Sequence, residues 1–501
     1  MTTTRRRTVA ATLTATATAL LAVLLPAPPA GAAAPPTAPL AWGPCAGEGL
    51  DPRQECATLR VPLDYRNPGG RQISLAVSRL RSEHPGKRRG SLLLIPGGPG
   101  GSGLNGPSTA ARGLPRQVRD AYDIIGFDPR GVGRSTPVGC DLAHADLAPV
   151  RLLPWPSPGG GIEGNTAAAR RIADACAENG GPVLRSITTA NEARDIDSIR
   201  HALGERRISA WGVSYGAYAG AVYAQLFPHR TDRIVLDSAG DPDPRRVVRG
   251  WLANQAVGVA DSFPVFARWA SDPGNPHRLA GTPRQVRALF LGLARRLDRE
   301  PVPWPGANPA ELNGNVLRQA LLDGLYSTDR FPALARLIEA ARGGGPLPAP
   351  PTAPEEVVQN TTAASAATIC NDVAWPTDPA GYARDVAVSR LRHPLTAGMP
   401  VNITPCAFWH DRPQEPPVRI TSRGPSNILL VQNLRDPATP HHGALRMRRA
   451  LGDRVRMVTV DETGHVSYTR NGNACGDALV TGFLTTGDRP SHDTFCPASG
   501  G

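Results

Sequence analysis

Short apolar runs alternate with helical patterns along most of the chain. The runs, rich in branched side chains, are 92–96 (LLLIP), 122–127 (YDIIGF), 208–211 (ISAW), 233–236 (RIVL), 427–431 (NILLV) and 455–460 (VRMVTV). Runs of this length and composition are typical of strands buried on both faces of a parallel sheet. The alternation of such strands with helices predicts an α/β protein with a mostly parallel, doubly wound sheet.

The alternation is interrupted between the fourth and fifth runs. This part of the chain has few strand signals, and its helical patterns lie at 283–298, 314–325 and 332–342. We therefore predict that 241–424 is a largely helical cap insertion over the carboxyl ends of the strands. The sheet domain is predicted to consist of 41–240 and 425–501.

The N-terminus has the features of a secretory signal peptide. Arg5, Arg6 and Arg7 precede an apolar stretch at 9–25, and an A-x-A cleavage pattern ends at Ala32. A membrane anchor is disfavoured because the stretch is short, rich in Thr and Ala, and followed by prolines. We expect residues 1–32 to be removed, with a short propeptide to about residue 40 left open, and the mature protein to be secreted and extracellular without a stable membrane anchor.

Cysteine usage agrees with export. The chain has eight cysteines, Cys45, Cys56, Cys140, Cys176, Cys370, Cys406, Cys475 and Cys496. Their even number, the export signal and the absence of C-x-x-C favour disulfides over zinc ligation. Pairing of neighbours (45–56, 140–176, 370–406, 475–496) is the simplest connectivity because short loops lose least entropy on closure, but the sequence leaves other pairings open.

Composition excludes several classes of protein. The 501 residues are 41% hydrophobic and 20% charged, which is typical of a globular protein with a large core. The net charge of +12 raises the question of nucleic-acid binding. However, Lys87 is the single lysine among 55 basic residues, and the arginines are scattered among acidic residues. We interpret them as a solvated basic surface and expect no nucleic-acid partner.

A candidate nucleophile follows the third run. Residues 212–216 (GVSYG) match G-x-S-x-G, with Ser214 at the centre. The motif alone is weak, but here it lies between a predicted strand and a predicted helix that ends before Pro228. A nucleophile elbow needs this strand–turn–helix arrangement, in which flanking glycines let the serine oxygen project. Ser214 is therefore predicted to attack a carbonyl carbon after activation by a histidine.

An acid and a histidine follow the two late runs. Asp436 comes after NILLVQN, and His465 comes after VRMVTV, so the chain order is Ser…Asp…His, as in α/β-hydrolases. We predict that His465 is the base and that Asp436 orients it. Asp461 is a weaker candidate acid because it still lies at the strand end. The adjacent residues His441 and His442 fit surface positions at a helix start.

The glycine-rich loop at 96–103 (PGGPGGSG) is predicted to complete the site. The backbone N–H of Tyr215 and that of Gly98, with Gly97 as the alternative, are the expected oxyanion donors. A phosphate-binding loop is disfavoured because no Gly-Lys-Ser/Thr follows. No metal-ligand motif is present, so we expect neither a metal nor a cofactor.

One acidic–basic pair in the motif GFDPRGVGRS is harder to assign. Asp128 and Arg130 lie directly after the strand at 122–127. A catalytic role is one interpretation of this pair. A structural Arg–Asp loop is the favoured one.

Together these pieces resemble the tripeptidyl aminopeptidases of actinomycetes, relatives of proline iminopeptidase. The matching segments, in family order, are 92–103, 126–135, 211–220, 428–440 and the tail from 464 to 496. The resemblance implies an α/β-hydrolase fold and release of tripeptides from free N-termini of peptides or proteins, by Ser214, Asp436 and His465. It also implies a C-terminal helical domain over roughly 355–501, and we expect a monomer.

The resemblance leaves specificity open. Pro96 stands where proline iminopeptidases have histidine, which favours the tripeptidyl branch. Such enzymes need an anionic group to hold the substrate ammonium; Asp372 is a candidate, although we expect it to be a solvated loop residue. A proline iminopeptidase-like aminopeptidase and a secreted esterase with the same triad are the alternative functions. A non-catalytic relative is disfavoured because all three triad residues are present.

Overall fold

The computed structural model describes residues 40–499. The predicted signal peptide, residues 1–32, lies outside these residues. In the described part, no helix is both long and apolar enough to cross a membrane.

Strands occur in the first half of the described chain and near its C-terminal end, with one short pair between these two regions. They are β1 (Gly43–Pro44), β2 (Glu55–Pro62), β3 (Gln72–Leu80), β4 (Gly90–Ile95), β5 (Tyr122–Phe127), β6 (Ile208–Val213), β7 (Thr231–Asp237), β8 (Val302–Pro303), β9 (Glu311–Leu312), β10 (Ile428–Arg435), β11 (Val455–Thr463) and β12 (Thr494–Cys496). Each of the six apolar runs of the sequence falls on one of these strands.

Ten strands form one sheet in the order β1-β2-β3-β5-β4-β6-β7-β10-β11-β12. The β1, β2 and β3 end is antiparallel, and every pair from β5 to β12 is parallel. The predicted mostly parallel sheet is confirmed. Its carboxyl-end edge brings the residues after β6, β7, β10 and β11 together.

Helices connect the strands and fill the long segment between β7 and β10. They are α1 (Gly106–Ala111), α2 (Arg116–Ala121), α3 (Pro149–Leu152), α4 (Glu163–Asn179), α5 (Gly181–Ser186), α6 (Thr189–Ala202), α7 (Tyr215–Leu226), α8 (Val247–Trp269), α9 (Pro283–Arg299), α10 (Gly314–Gly324), α11 (Phe331–Gly343), α12 (Glu355–Asp372), α13 (Pro379–Arg392), α14 (His441–Leu451) and α15 (Ala474–Thr486).

The sheet is covered on both faces, which explains its uninterrupted apolar runs. On β10, Ile428 and Leu430 pack into one hydrophobic layer, while Leu429 and Val431 pack into the other. Successive side chains of a strand point to opposite faces, so a strand between two layers is apolar at most positions. This covering by helices makes the sheet doubly wound.

The segment between β7 and β10 has a hydrophobic cluster of its own. Its helices contribute a set of buried aromatic side chains that contact one another: Phe263, Phe266, Phe290 and Phe331. Of the strands, only the short antiparallel pair β8–β9 lies here. The segment reaches the carboxyl-end edge of the sheet at two places that matter for the site, Tyr326 after α10 and Ser365 on α12.

The eight cysteines form four disulfides between sequence neighbours. They are Cys45–Cys56, Cys140–Cys176, Cys370–Cys406 and Cys475–Cys496. Cys370 lies on α12, so its disulfide joins this helix to the segment that follows α13.

Candidate active site

Ser214 lies in a sharp turn between β6 and α7. Its backbone has φ 59° and ψ −122°, a strained conformation for a residue other than glycine. The neighbouring glycines allow the turn, because a Cβ on Gly212 would overlap the carbonyl oxygen of Gly216, and one on Gly216 would overlap that of Ile95. The local geometry is that of a nucleophile elbow, and the serine side chain is partly exposed.

Asp436 and His465 form a buried pair after β10 and β11. The imidazole Nδ1 lies 2.9 Å and 3.0 Å from the two carboxylate oxygens of Asp436. The carboxylate also accepts the backbone N–H groups of Ala438 and Thr439 at 2.8 Å and 2.9 Å. A carboxylate at Nδ1 favours the tautomer with hydrogen on that nitrogen, which leaves Nε2 to act as a base.

The competing acid and histidines lie elsewhere. Asp461 accepts a hydrogen bond from Arg435 at 2.6 Å. His441 begins α14, where its Nε2 lies 3.2 Å from the hydroxyl of Thr459. The structure therefore pairs His465 with Asp436, the residue that the sequence favoured.

Tyr326 contacts the histidine from the segment between β7 and β10, which we name the inserted segment. The His465 N–H donates to its carbonyl oxygen at 2.9 Å, and the two rings meet edge to face with centroids 5.0 Å apart. Sequence reasoning missed this residue. Tyr326 follows α10, more than a hundred positions before His465, and no local pattern distinguishes it.

The glycine-rich loop lies against the elbow. A Cβ on Gly97 would lie 3.1 Å from the Val213 carbonyl oxygen and 3.2 Å from the Ser214 Cβ, tighter than most such contacts, so glycine favours this close approach. Gly98 is exposed with φ 120°, and no protein acceptor meets its N–H within residues 40–499. Tyr215 begins α7, where the first N–H groups of a helix lack internal partners. These are the properties that an oxyanion hole requires.

Asp128 fixes this loop, and it does not pair with Arg130. Its carboxylate accepts the Gly103 and Leu104 N–H groups, both at 3.1 Å. Arg130 instead makes a fully buried ion pair with Asp195 at 2.6 Å. The prediction that Asp128 and Arg130 pair with each other is therefore wrong. Asp128 binds the glycine-rich loop, and Arg130 binds Asp195, so each residue has partners distant in sequence.

A buried acidic cluster lies behind Tyr215. The phenol oxygen donates to Glu192 at 2.8 Å and lies 2.9 Å from the Thr189 hydroxyl. The Thr189 N–H in turn donates to Asp372 at 2.8 Å. The expectation that Asp372 is a solvated loop residue is wrong: it is the last residue of α12 and is buried against α6.

Burial dominates the electrostatics of this cluster. It raises the pKa of Glu192 to about 8 and that of Asp372 to about 6, since a low-dielectric environment disfavours the charged form. One oxygen of Glu192 has no hydrogen-bond partner, and neither carboxylate forms a salt bridge among the described residues. Sequence reasoning did not identify Glu192 as a site residue. Its burial depends on Tyr215 and α12, which no local pattern reveals.

The chain is similar to several known hydrolases. Residues 393–496 match a family model described as TAP-like protein. A tripeptidyl aminopeptidase of Streptomyces coelicolor is 32% identical over 475 residues, which cover 91% of this chain and 85% of that protein. The serine protease Hip1 of Mycobacterium tuberculosis is 29% identical over 497 residues, 91% of each chain. A carboxylesterase B of the same organism is 30% identical over 458 residues, 88% of this chain and 86% of that protein.

Proposed function

The chain belongs to the tripeptidyl aminopeptidase family of α/β-hydrolase serine peptidases, and we propose that it releases tripeptides from the free N-termini of peptides and proteins. Ser214 is the proposed nucleophile, His465 the base and Asp436 the residue that orients it. The N–H groups of Tyr215 and Gly98 form the proposed oxyanion hole.

The reaction has two steps. In the first, His465 Nε2 takes the proton of Ser214 as its oxygen bonds to the carbonyl carbon of the third substrate residue. The same proton passes to the leaving amine as the peptide C–N bond breaks, and the tripeptide remains as an ester on Ser214. In the second step, His465 removes a proton from water, which hydrolyses the ester. The tripeptide leaves, and the proton returns to Ser214.

The observation that carries the tripeptide proposal is the course of α12 along the site. Ser365 on this helix donates to the carbonyl oxygen of Pro99 in the glycine-rich loop. Asp372 lies seven residues further, on the same helix face, which corresponds to about 10.5 Å at 1.5 Å per residue. Three extended substrate residues span about 10 Å. An ammonium group three residues from the scissile carbonyl is therefore within reach of Asp372.

The charge of the acidic cluster fits an ammonium ligand. Glu192 has a raised pKa and keeps its proton at neutral pH, so Asp372 is the charged member. A buried carboxylate without a cationic partner is unfavourable, and a substrate ammonium would supply that partner. This requirement favours substrates with a free N-terminus over acetylated ones.

Asp372→Asn is expected to lower kcat/KM for a free tripeptidyl p-nitroanilide by about 30-fold or more, mainly through KM. The reason is that a buried charge contact worth at least about 2 kcal/mol is lost in the ground state and the transition state alike. Hydrolysis of the N-acetylated anilide, slow in the wild type, should not change. The measurement is steady-state kinetics of both anilides.

The fold is expected to survive this substitution. Burial raises the pKa of the Asp372 carboxyl group to about 6, which means that the folded state favours its protonated form. The contribution of this group to the free energy of unfolding is therefore lost as the pH rises through about 6. A neutral amide therefore should not lower Tm at pH 7. Asp146→Asn, a buried carboxylate paired with Arg171, is the matched control. If Asp372→Asn lowered kcat/KM equally on the free and the N-acetylated anilide, an ammonium contact at Asp372 would be contradicted.

The alternative functions predict other substrate patterns. Faster cleavage of a single-residue prolyl anilide than of the tripeptidyl anilide would indicate an iminopeptidase-like enzyme. Hydrolysis of short esters without cleavage of either anilide would indicate an esterase, the activity named for one relative.

We also infer export, with residues 1–32 as the removed leader. The four disulfides support an oxidising location, since such bonds are rare in the cytosol. The substrates would then be extracellular peptides or protein N-termini, acted on by a monomer.

A further inference from the structure

The end of β7 contacts the nucleophile elbow. Asp237 is the last residue of this strand, Ser238 follows it, and both side chains are fully buried. The backbone carbonyl of Asp237 accepts the N–H of Ser214 at 2.9 Å. The main chain at this point therefore fixes the position of the proposed nucleophile.

The side chains of the same two residues hold the segment after the proposed base. We name residues 465–468 the histidine loop. The N–H groups of Ser467 and Tyr468 donate to the two carboxylate oxygens of Asp237 at 2.8 Å and 3.0 Å, and the Val466 N–H donates to the Ser238 hydroxyl at 3.0 Å. Three consecutive N–H groups of the histidine loop are thus satisfied by two adjacent side chains.

The histidine loop needs this support because its backbone is strained. Val466, directly after His465, has φ 70°, and a positive φ is a genuine outlier for a β-branched residue. Ser238 itself has φ 60°. Such conformations persist only where the surrounding contacts fix them, and they cluster at functional sites.

A carboxylate is the side chain that fits this position. Besides the two backbone groups, Asp237 faces the Trp211 indole N–H at 3.3 Å and the Ser238 hydroxyl at 3.2 Å. All four are donors, and an ionised carboxylate only accepts. An asparagine would turn its NH₂ group toward one of these N–H groups. Burial raises the pKa of Asp237 only to about 6, because hydrogen bonds from Ser467, Tyr468 and Trp211 favour the charged form, so the group is ionised at neutral pH.

We propose that Asp237 and Ser238 are positioning residues, which hold His465 in line with Ser214 by clamping the histidine loop to the nucleophile elbow. This inference rests on the proposed roles of Ser214 and His465. Neither Asp237 nor Ser238 is expected to touch the substrate. Their effect is on the geometry of proton transfer, where displacement of a group by about 1 Å costs about 10²-fold in rate.

The test is Asp237→Asn, assayed on a tripeptidyl ester and a tripeptidyl anilide after titration of active sites with a fluorophosphonate. We expect kcat per titrated site to fall about 10²-fold on both substrates, with KM within about twofold of wild type. Loss of folded protein would lower the number of titrated sites but not kcat per site. Asp146→Asn, which removes a buried carboxylate whose ion-pair partner is Arg171, should change neither.

Wild-type kcat per site in Asp237→Asn would overturn the proposal. If that variant does not fold, Ser238→Ala decides: it removes one bond to the histidine loop, and we expect a fall of about tenfold in kcat per site, whereas an unchanged value would overturn the clamp. The fluorophosphonate adduct of the wild type is mapped in the same experiment. Labelling away from Ser214 would reject the proposed nucleophile itself, which separates that failure from failure of the clamp.

Discussion

Ser214→Ala should lower kcat by about 10⁶-fold, because loss of the nucleophile removes the acyl-enzyme route entirely. The remaining oxyanion donors would still bind substrate, so KM should change little. The fold should be unaffected: the serine hydroxyl is partly exposed and makes no hydrogen bond among residues 40–499, and alanine meets the same strain at φ 59°. The measurements are kcat on a tripeptidyl anilide and Tm.

Ser271→Ala is the control for this substitution. Ser271 is buried just after the C-terminal end of α8, and its hydroxyl donates to the backbone carbonyl oxygen of Arg268 at 3.1 Å. Its replacement should leave kcat within about twofold. Activity of Ser214→Ala within tenfold of wild type would mean that another residue is the nucleophile.

Asp436→Asn should lower kcat by about 10⁴-fold, as expected when a triad histidine takes the wrong tautomer. The N–H groups of Ala438 and Thr439 both donate to the same oxygen of Asp436. An asparagine would keep its oxygen on that side and turn its NH₂ group toward His465. The imidazole would then accept at Nδ1 and carry hydrogen on Nε2, so it could not take the proton of Ser214. The measurement is kcat at neutral pH.

Asp461→Asn is the matched control. Asp461 is the other carboxylate near the end of β11, and its partner is Arg435. Loss of this part-exposed pair should leave kcat within about threefold, since exposed ion pairs contribute little. If Asp461→Asn matched the loss in Asp436→Asn, the acid would be assigned wrongly.

The sequence predicted the elements that local pattern determines. The runs NILLV and VRMVTV became β10 and β11, because strands between two helical layers are apolar at most positions. Parallel strands end at the same edge, so Asp436 and His465, each following a strand, could be expected to meet. The elbow at Ser214 was predictable because the turn requires glycine two positions before and two positions after the serine.

The contacts that the sequence did not reveal all join distant segments. Arg130 pairs with Asp195 rather than with its neighbour Asp128. Asp372 accepts a hydrogen bond from the N–H of Thr189, which lies on another helix. The partners in each contact come from different elements, and only the packing of those elements decides whether a charged residue is solvated. Tyr326 beside His465 is a third example, supplied by the inserted segment.

The most direct test of the proposed function is mass spectrometry of the products from an unblocked decapeptide and its N-acetylated twin. The account predicts that the free peptide yields its first three residues and the complementary heptapeptide, followed by further tripeptides, while the acetylated peptide stays intact. Single residues released from the N-terminus, or equal cleavage of both peptides, would contradict it.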